Sequence, residues 1–377
     1  MFSIANIARW RFDVWFAIPI VILILIGLVM LYSLGLGEES ITKTSFFKQA
    51  VFVPVGFLLL LIVSFIDYRW YNHYARYLYL FSVILLGSVL IFGEKFRGTR
   101  GWFEIGNVVW QPVELVKIIW VIWLAHFFST TDYRARPIYA LLVSFLHLFI
   151  TAGLTILQPD LGSALLFIGT WALVIVMLSF PWRYIISILL TFCVIAFFGW
   201  FFMLADFQQE RIKTFLNPER DPLGSGYNVR QSIIAIGAGE FFGRGIAEGT
   251  QSQLRFLPES QTDFIFSVIG EELGFVGVII VLAAWAVIFW RLYVIGRHAR
   301  DSFSSLMILG FLIMLGSQVL VNIGMTLGLL PVTGLGLPFV SYGRSSLLST
   351  FLLFGIIINI ARSVRIGSLE RSEILRM

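Results

Sequence analysis

Three apolar runs of this sequence open on carboxylates, side chains that can take a proton from a hydroxyl or hold a hard divalent cation. Gln111-Pro112-Val113-Glu114-Leu115-Val116-Lys117 opens one run, Gln158-Pro159-Asp160 a second and Thr262-Asp263 a third. Proline suits a first helical turn, where its missing N–H would be unpaired anyway. Glu114 and Lys117, three apart, share one helix face, and Thr262 reads as an N-cap. Each acid also has a plainer reading, because a helix dipole favours a first-turn carboxylate by ~0.3–1 kcal/mol. For Asp160 alone the plainer reading is the better one, and Lys117 would simply neutralise Glu114. Glu271-Glu272, deeper in the third run, tip the balance, since charges inside apolar spans are costly and usually line a cavity. The expectation is an acidic cleft. Arg211, Lys213, Arg220, Arg230, Arg244 and Arg255 share one polar stretch with acids. They read either as a solvated salt-bridge surface or as an anion clamp for a lipid head group, and the residues alone leave both open. No dedicated metal-ligand spacing is present, so Mg²⁺ or Mn²⁺ enters as a hypothesis, with Asp263 as the candidate ligand.

The elements that position these residues must be membrane helices. Of 377 residues, 58% are apolar and 13% charged, with a mean hydropathy of +0.89. A soluble surface needs about twice that share of charge, so soluble domains are excluded, as are a disordered chain and a coiled coil. One cysteine, Cys193, allows no internal disulfide, and His73, His126, His147 and His298 are scattered. A bilayer core takes roughly 20 apolar residues per helix. That length predicts ten spans near 14–34, 46–66, 74–93, 112–129, 138–157, 161–180, 184–204, 264–290, 304–327 and 345–362. The first run has no cleavage site after it and is expected to remain as an anchor.

Ten spans put both ends on one side. That side, with its loops, carries 14 of the 27 basic residues against 6 acids, or +8; the remainder carries 13 against 16, or −3, which together give the net +5. Lys and Arg collect on the cytoplasmic side, so the pI near 9.4 reads as topology and not as nucleic-acid binding. Both termini are expected in the cytoplasm. The outer side then receives the loops 94–111, 328–344 and 205–262. Within the last, 229–246 reads as a helix lying at the membrane surface. Gly237, Gly239, Gly243 and Gly245 do not follow a phosphate-loop pattern and read as tight turns and close packing. Cytoplasmic loops are too short for a nucleotide-binding domain.

The stretch Phe256-Leu257-Pro258-Glu259-Ser260-Gln261-Thr262-Asp263-Phe264-Ile265-Phe266, continuing to Gly270-Glu271-Glu272-Leu273-Gly274, resembles the signature of the SEDS family (shape, elongation, division and sporulation). Gln111-Pro112 with Glu114 and Lys117, Gln158-Pro159-Asp160-Leu161-Gly162, Phe215-Leu216-Asn217-Pro218 and Pro331-Val332-Thr333-Gly334 followed by Leu337-Pro338-Phe339-Val340-Ser341-Tyr342-Gly343 match in the same order. The length and short N-terminal tail resemble the RodA branch more than FtsW. Val113, Gly101, Gly336 and Arg344 depart from the usual residues, and Arg100 is expected to supply the charge that Gly101 lacks.

The resemblance implies an all-α membrane protein of the SEDS type. It implies a peptidoglycan glycosyltransferase that polymerises lipid II outside the cytoplasmic membrane during elongation, with a class B penicillin-binding protein as partner. It makes the residue matching Asp263 the essential one, which we read as the base for the acceptor hydroxyl. Glu114, Lys117, Asp160, Glu259, Glu271, Glu272, Arg100, Arg211 and Lys213 are expected around the substrate cleft. The donor is already activated as a polyprenyl diphosphate, so no nucleotide cofactor is expected. A lipid II transporter and a non-catalytic scaffold are the rival functions.

Overall fold

The structure, a computed structural model, describes residues 14–36, 41–96, 99–106, 108–202, 206–217 and 225–374. Pro218 and Arg220, named in the sequence reading, lie outside them. The chain runs α1 (Val14–Leu36), α2 (Ile41–Ser64), α3 (Tyr68–Phe92), β1 (Glu94–Phe96), β2 (Thr99–Ile105), β3 (Val108–Trp110), α4 (Pro112–Thr130), α5 (Pro137–Leu157), α6 (Leu161–Met177) and α7 (Trp182–Phe202). It continues through α8 (Asp206–Leu216), α9 (Ser225–Ala238), α10 (Thr250–Gln253), α11 (Ile265–Arg297), α12 (Ser302–Thr326) and α13 (Arg344–Ile374). Among the described residues nine helices are long and apolar enough to cross a bilayer, while α6, at 17 residues, is shorter. This is a multi-pass membrane protein.

Two apolar cores meet at α4. Ile118, Val121, Ile122 and Ala125 join a core built with α1, α2, α11, α12 and α13. Val116, Trp120, Trp123 and Phe128 join a second with α3, α5 and α6, around Tyr79, Phe167 and Trp171. A helix apolar on all sides belongs in the interior, and α4 is buried almost all round. It carries Lys117 into that interior.

The loop predicted over 94–111 is a three-stranded antiparallel meander. Ile105 pairs with Val108, Glu104 with Val109 and Phe103 with Trp110, and the last two rings stack at 6.3 Å. Two residues, Gly106-Asn107, separate the pair Ile105 and Val108. That is the length and composition of a tight hairpin turn. The surface helix expected over 229–246 is also shorter. It is α9, ending at Ala238, and it packs on α11, where the Ser232 hydroxyl meets that of Ser267 at 2.6 Å. The remainder, 239–249, is a turn-rich segment.

That segment completes a broken helix. Gly274 inside α11 has φ 64° and ψ −161°, a conformation essentially reserved for glycine. The break frees carbonyls before it and N–H groups after it, and lipid offers them no partner. The 240–245 segment does. Arg244 N donates to Glu271 O at 3.0 Å, Gly245 N to Glu272 O at 3.1 Å, Phe275 N to Glu240 O at 3.0 Å and Val276 N to Phe241 O at 3.2 Å. A Cβ on Gly274 would overlap the Gly243 nitrogen, so the two backbones touch directly.

Candidate active site

Asp263 lies one residue before the cap of α11, which is Phe264. The expected N-cap role of Thr262 is therefore corrected. Its hydroxyl donates instead to the Glu259 carboxylate at 3.2 Å, within a turn that precedes the helix. Glu259 shapes that turn with φ 56°, its carbonyl accepting from Thr262 N at 3.1 Å and Phe264 N at 3.2 Å. A non-glycine residue there is strained, a feature that clusters at functional sites.

The main chain around Asp263 is fastened from three directions. Gln261 O accepts from Tyr342 N at 2.8 Å, Thr262 O from the Ser341 hydroxyl at 2.6 Å, and Asp263 O from Asn322 Nδ2 at 3.0 Å. The first two donors belong to the Pro331–Gly343 segment, whose Leu337, Phe339 and Val340 are buried. Irregular backbone at such a place is stable only when its polar groups are met. Leu335 O takes a bond from Asn322 at 2.7 Å, Gly336 O from Gln318 at 3.0 Å, and Ser341 O from Gln49 at 3.2 Å. Asp263 itself is partly exposed. A Cβ on Gly334 would stand 3.8 Å from Asp263 Oδ2, an ordinary contact, so the two are neighbours and it is the φ of 80° that favours glycine here.

The same segment gathers the other helix starts. A Cβ on Gly162 would stand 2.5 Å from Thr333 O, which sets the start of α6 against it. Asp160 is the cap of α6, accepting from Ser163 N at 3.0 Å and Ser163 Oγ at 2.8 Å. Its plainer reading describes what the side chain does. Gln111 joins α4 to this region, its N–H donating to Ser345 Oγ at 2.9 Å and its amide to Asp160 at 3.4 Å. One turn on, Lys117 Nζ and Glu114 Oε1 form an ion pair of 2.8 Å with side chains 3% and 13% exposed.

Two acids leave the expected cleft. Glu271 is fully buried and accepts from Gln251 N at 2.7 Å and Ser252 N at 3.0 Å. Glu272, 1% exposed, accepts from Ser33 Oγ of α1 at 2.6 Å and from Gln253 at 3.1 Å. They hold the 247–253 segment to α11 and α1. The expectation failed because helix sidedness is invisible in a run apolar throughout.

Among the basic residues, Arg211 reaches the Val332 carbonyl at 3.5 Å, two residues from Gly334. Lys213 instead faces Glu210 on its own helix at 3.7 Å, which is the salt-bridge reading. Arg100 is exposed; its Nε donates to Gly93 O at 3.0 Å and its N–H to Gln158 O at 3.2 Å, so it braces β2 against the α5–α6 turn. Among the described residues no three His, Cys, Asp or Glu side chains gather as a metal site. Sequence reading missed Asn322, Gln318 and Gln49, and gave Ser341 only as part of a motif. Gln318 and Asn322, four apart in an otherwise apolar helix, carried the signal.

Residues 14–366 match the family described as "Cell cycle protein" (FTSW_RODA_SPOVE). The chain is 37% identical over 344 residues to the peptidoglycan glycosyltransferase MrdB of Escherichia coli, covering 91% of this chain and 92% of that one. It is similar to the crystal structure of the rod shape determining protein RodA of Thermus thermophilus, with TM-score 0.70 and 29% identity over 94% of this chain and 98% of that one. A chain in a structure described as structural coordination of polymerization and crosslinking by a peptidoglycan synthase complex gives TM-score 0.80 and 31% identity, covering 94% and 99%. Match length, order of motifs and fold agree: the chain belongs to the FtsW/RodA/SpoVE family of shape, elongation, division and sporulation proteins.

Proposed function

We propose that this protein is a peptidoglycan glycosyltransferase that polymerises lipid II at the outer face of the cytoplasmic membrane during cell elongation. The observation that carries the reading is Asp263, a partly exposed carboxylate whose backbone is fastened on three sides beside Gly334. In this reading Asp263 removes the proton from the acceptor 4-hydroxyl. The resulting oxygen bonds to the donor anomeric carbon as the bond to the polyprenyl diphosphate breaks. A base within hydrogen-bond reach contributes about 10²–10⁴-fold. In this reading Arg211, which reaches the Val332 carbonyl, is the cation that would stabilise the departing diphosphate. Mg²⁺ binds through one or two carboxylates plus substrate phosphates, so Asp263 fits an ion brought with the diphosphate better than a dedicated cage. When bound, such an ion supplies charge stabilisation to the leaving group. The test is purified protein with lipid II and a gel for glycan strands; polymer without another polymerase supports the enzyme.

Gly274 favours a second reading, lipid II transport, because transporters place their sites at broken helices. Here the freed backbone groups are bonded to 240–245 and do not line a path, so the enzyme is preferred. Lipid movement without polymer would reverse that preference. We further propose a class B penicillin-binding protein as partner, which should co-purify and raise polymerase activity. The +8/−3 charge split supports termini in the cytoplasm. A cysteine placed in 205–262 should react with an impermeant reagent in intact cells once Cys193 is replaced, and one after Arg365 should not.

A further inference from the structure

Asn322 lies in α12, outside every motif that marked the site, and is completely buried. Its amide nitrogen makes two bonds, to Asp263 O at 3.0 Å and to Leu335 O at 2.7 Å. Two carbonyl acceptors fix which end of the amide is nitrogen. Both N–H groups are used, and each goes to one wall of the gap between Asp263 and Gly334. The amide oxygen is left buried with no hydrogen-bond partner. An unmet buried acceptor is unfavourable, and such groups in folded proteins call for an explanation. One turn earlier on the same face, Gln318 bonds Gly336 O at 3.0 Å. The α12 face thus holds three carbonyls of the two site segments.

We propose that Asn322 is a positioning residue for Asp263: by bonding both segments with one nitrogen, it sets the width of the gap into which the acceptor hydroxyl must fit. The inference rests on reading Asp263 as the base. It assigns Asn322 no contact with substrate. Displacing a reacting group by about 1 Å costs about 10²-fold in rate, whereas binding made elsewhere along a long lipid-linked substrate is untouched.

The test is Asn322→Leu, which keeps the branched shape and the number of side-chain heavy atoms, is somewhat larger, and has neither donor nor acceptor. In the full-length protein kcat for lipid II polymerisation should fall about 10²-fold with KM held, while the thermal midpoint falls only as far as two stranded carbonyls require. Hydrogen exchange should rise over 258–264 and 331–343 while the protection of α4 and α6 is kept. Activity within a few-fold of wild type in the folded variant overturns the proposal. So does a loss of kcat accompanied by raised exchange throughout α12, which is the outcome of a purely structural role. If the leucine variant does not fold, Asn322→Ser keeps one donor and should lower kcat with KM held; full activity there, or failure of both variants to fold, overturns the proposal. If the wild-type protein makes no glycan, the glycosyltransferase reading fails. The exchange measurement still decides whether Asn322 holds the two segments together.

Discussion

Asp263 and the pair Glu271–Glu272 belong to one stretch of chain, and the described ties around them differ in kind. At Asp263 the tie runs through the peptide, whose carbonyl Asn322 holds while the neighbouring carbonyls are held by Ser341 and Tyr342. The side chain is partly exposed beside Gly334. At Glu271 the side chain is itself the tie, collecting the N–H groups of Gln251 and Ser252, and Glu272 does the same for Ser33 and Gln253. A carboxylate in an apolar span is costly in both places. At Asp263 main-chain ties hold the residue in place, whereas at Glu271 and Glu272 the carboxylates themselves join separate segments.

The largest effect should break that comparison at Asp263. Asp263→Asn keeps the peptide and its ties but cannot accept a proton, so polymerisation should fall by about 10²–10⁴-fold with an unchanged thermal midpoint. Substantial glycan from a folded Asn variant would end the base role. Next in size is the Glu114–Lys117 pair, a third case in which charge answers charge. Removing one partner of a buried pair costs ~3–5 kcal/mol, so Glu114→Ala and Lys117→Ala should each lose folded yield, read by size exclusion in detergent. Normal yield with lost turnover would move the pair from architecture to chemistry. Glu271→Ala sharpens the contrast from the other side. It strands two N–H groups at ~1–3 kcal/mol each, so the thermal midpoint should drop while turnover per folded molecule is kept. The smallest effect belongs to Asp160→Ala, the loss of a helix cap at about 1 kcal/mol, with polymerisation retained.

Much of this was legible in advance. Hydropathy points to the long helices, because a bilayer demands a length that few soluble segments reach, and the acids ahead of apolar runs drew the reading to Asp263, Glu114 and Asp160. What could not be read was orientation. Glu271-Glu272 are flanked by apolar residues on both sides and Leu273-Gly274-Phe275 opens a long apolar run, so neither the kink nor the turning of the two acids toward 247–253 leaves a trace in periodicity. The meander over 94–110 is different: Gly106-Asn107 between Ile105 and Val108 is a hairpin signal in the sequence itself, because glycine first in a two-residue connection supplies the positive φ such a turn needs. Asn322 and Gln318 were legible as polar residues in an apolar helix, yet only the fold shows that their partners are main-chain carbonyls of two distant segments.

The break at Gly274 bears on how the chain is made. A continuous α11 of 33 residues would measure about 50 Å at about 1.5 Å per residue, well beyond the roughly 30 Å apolar slab of a bilayer. Divided at Gly274, the part from Phe275 to Arg297 is about 35 Å long and fits on its own. The 240–245 segment leaves the ribosome before the break does, so its bonding groups are already waiting when Glu271 to Val276 emerge. Synthesis direction and hydrogen bonding therefore agree, and the kink can close as the helix is laid into the membrane, without a later rearrangement.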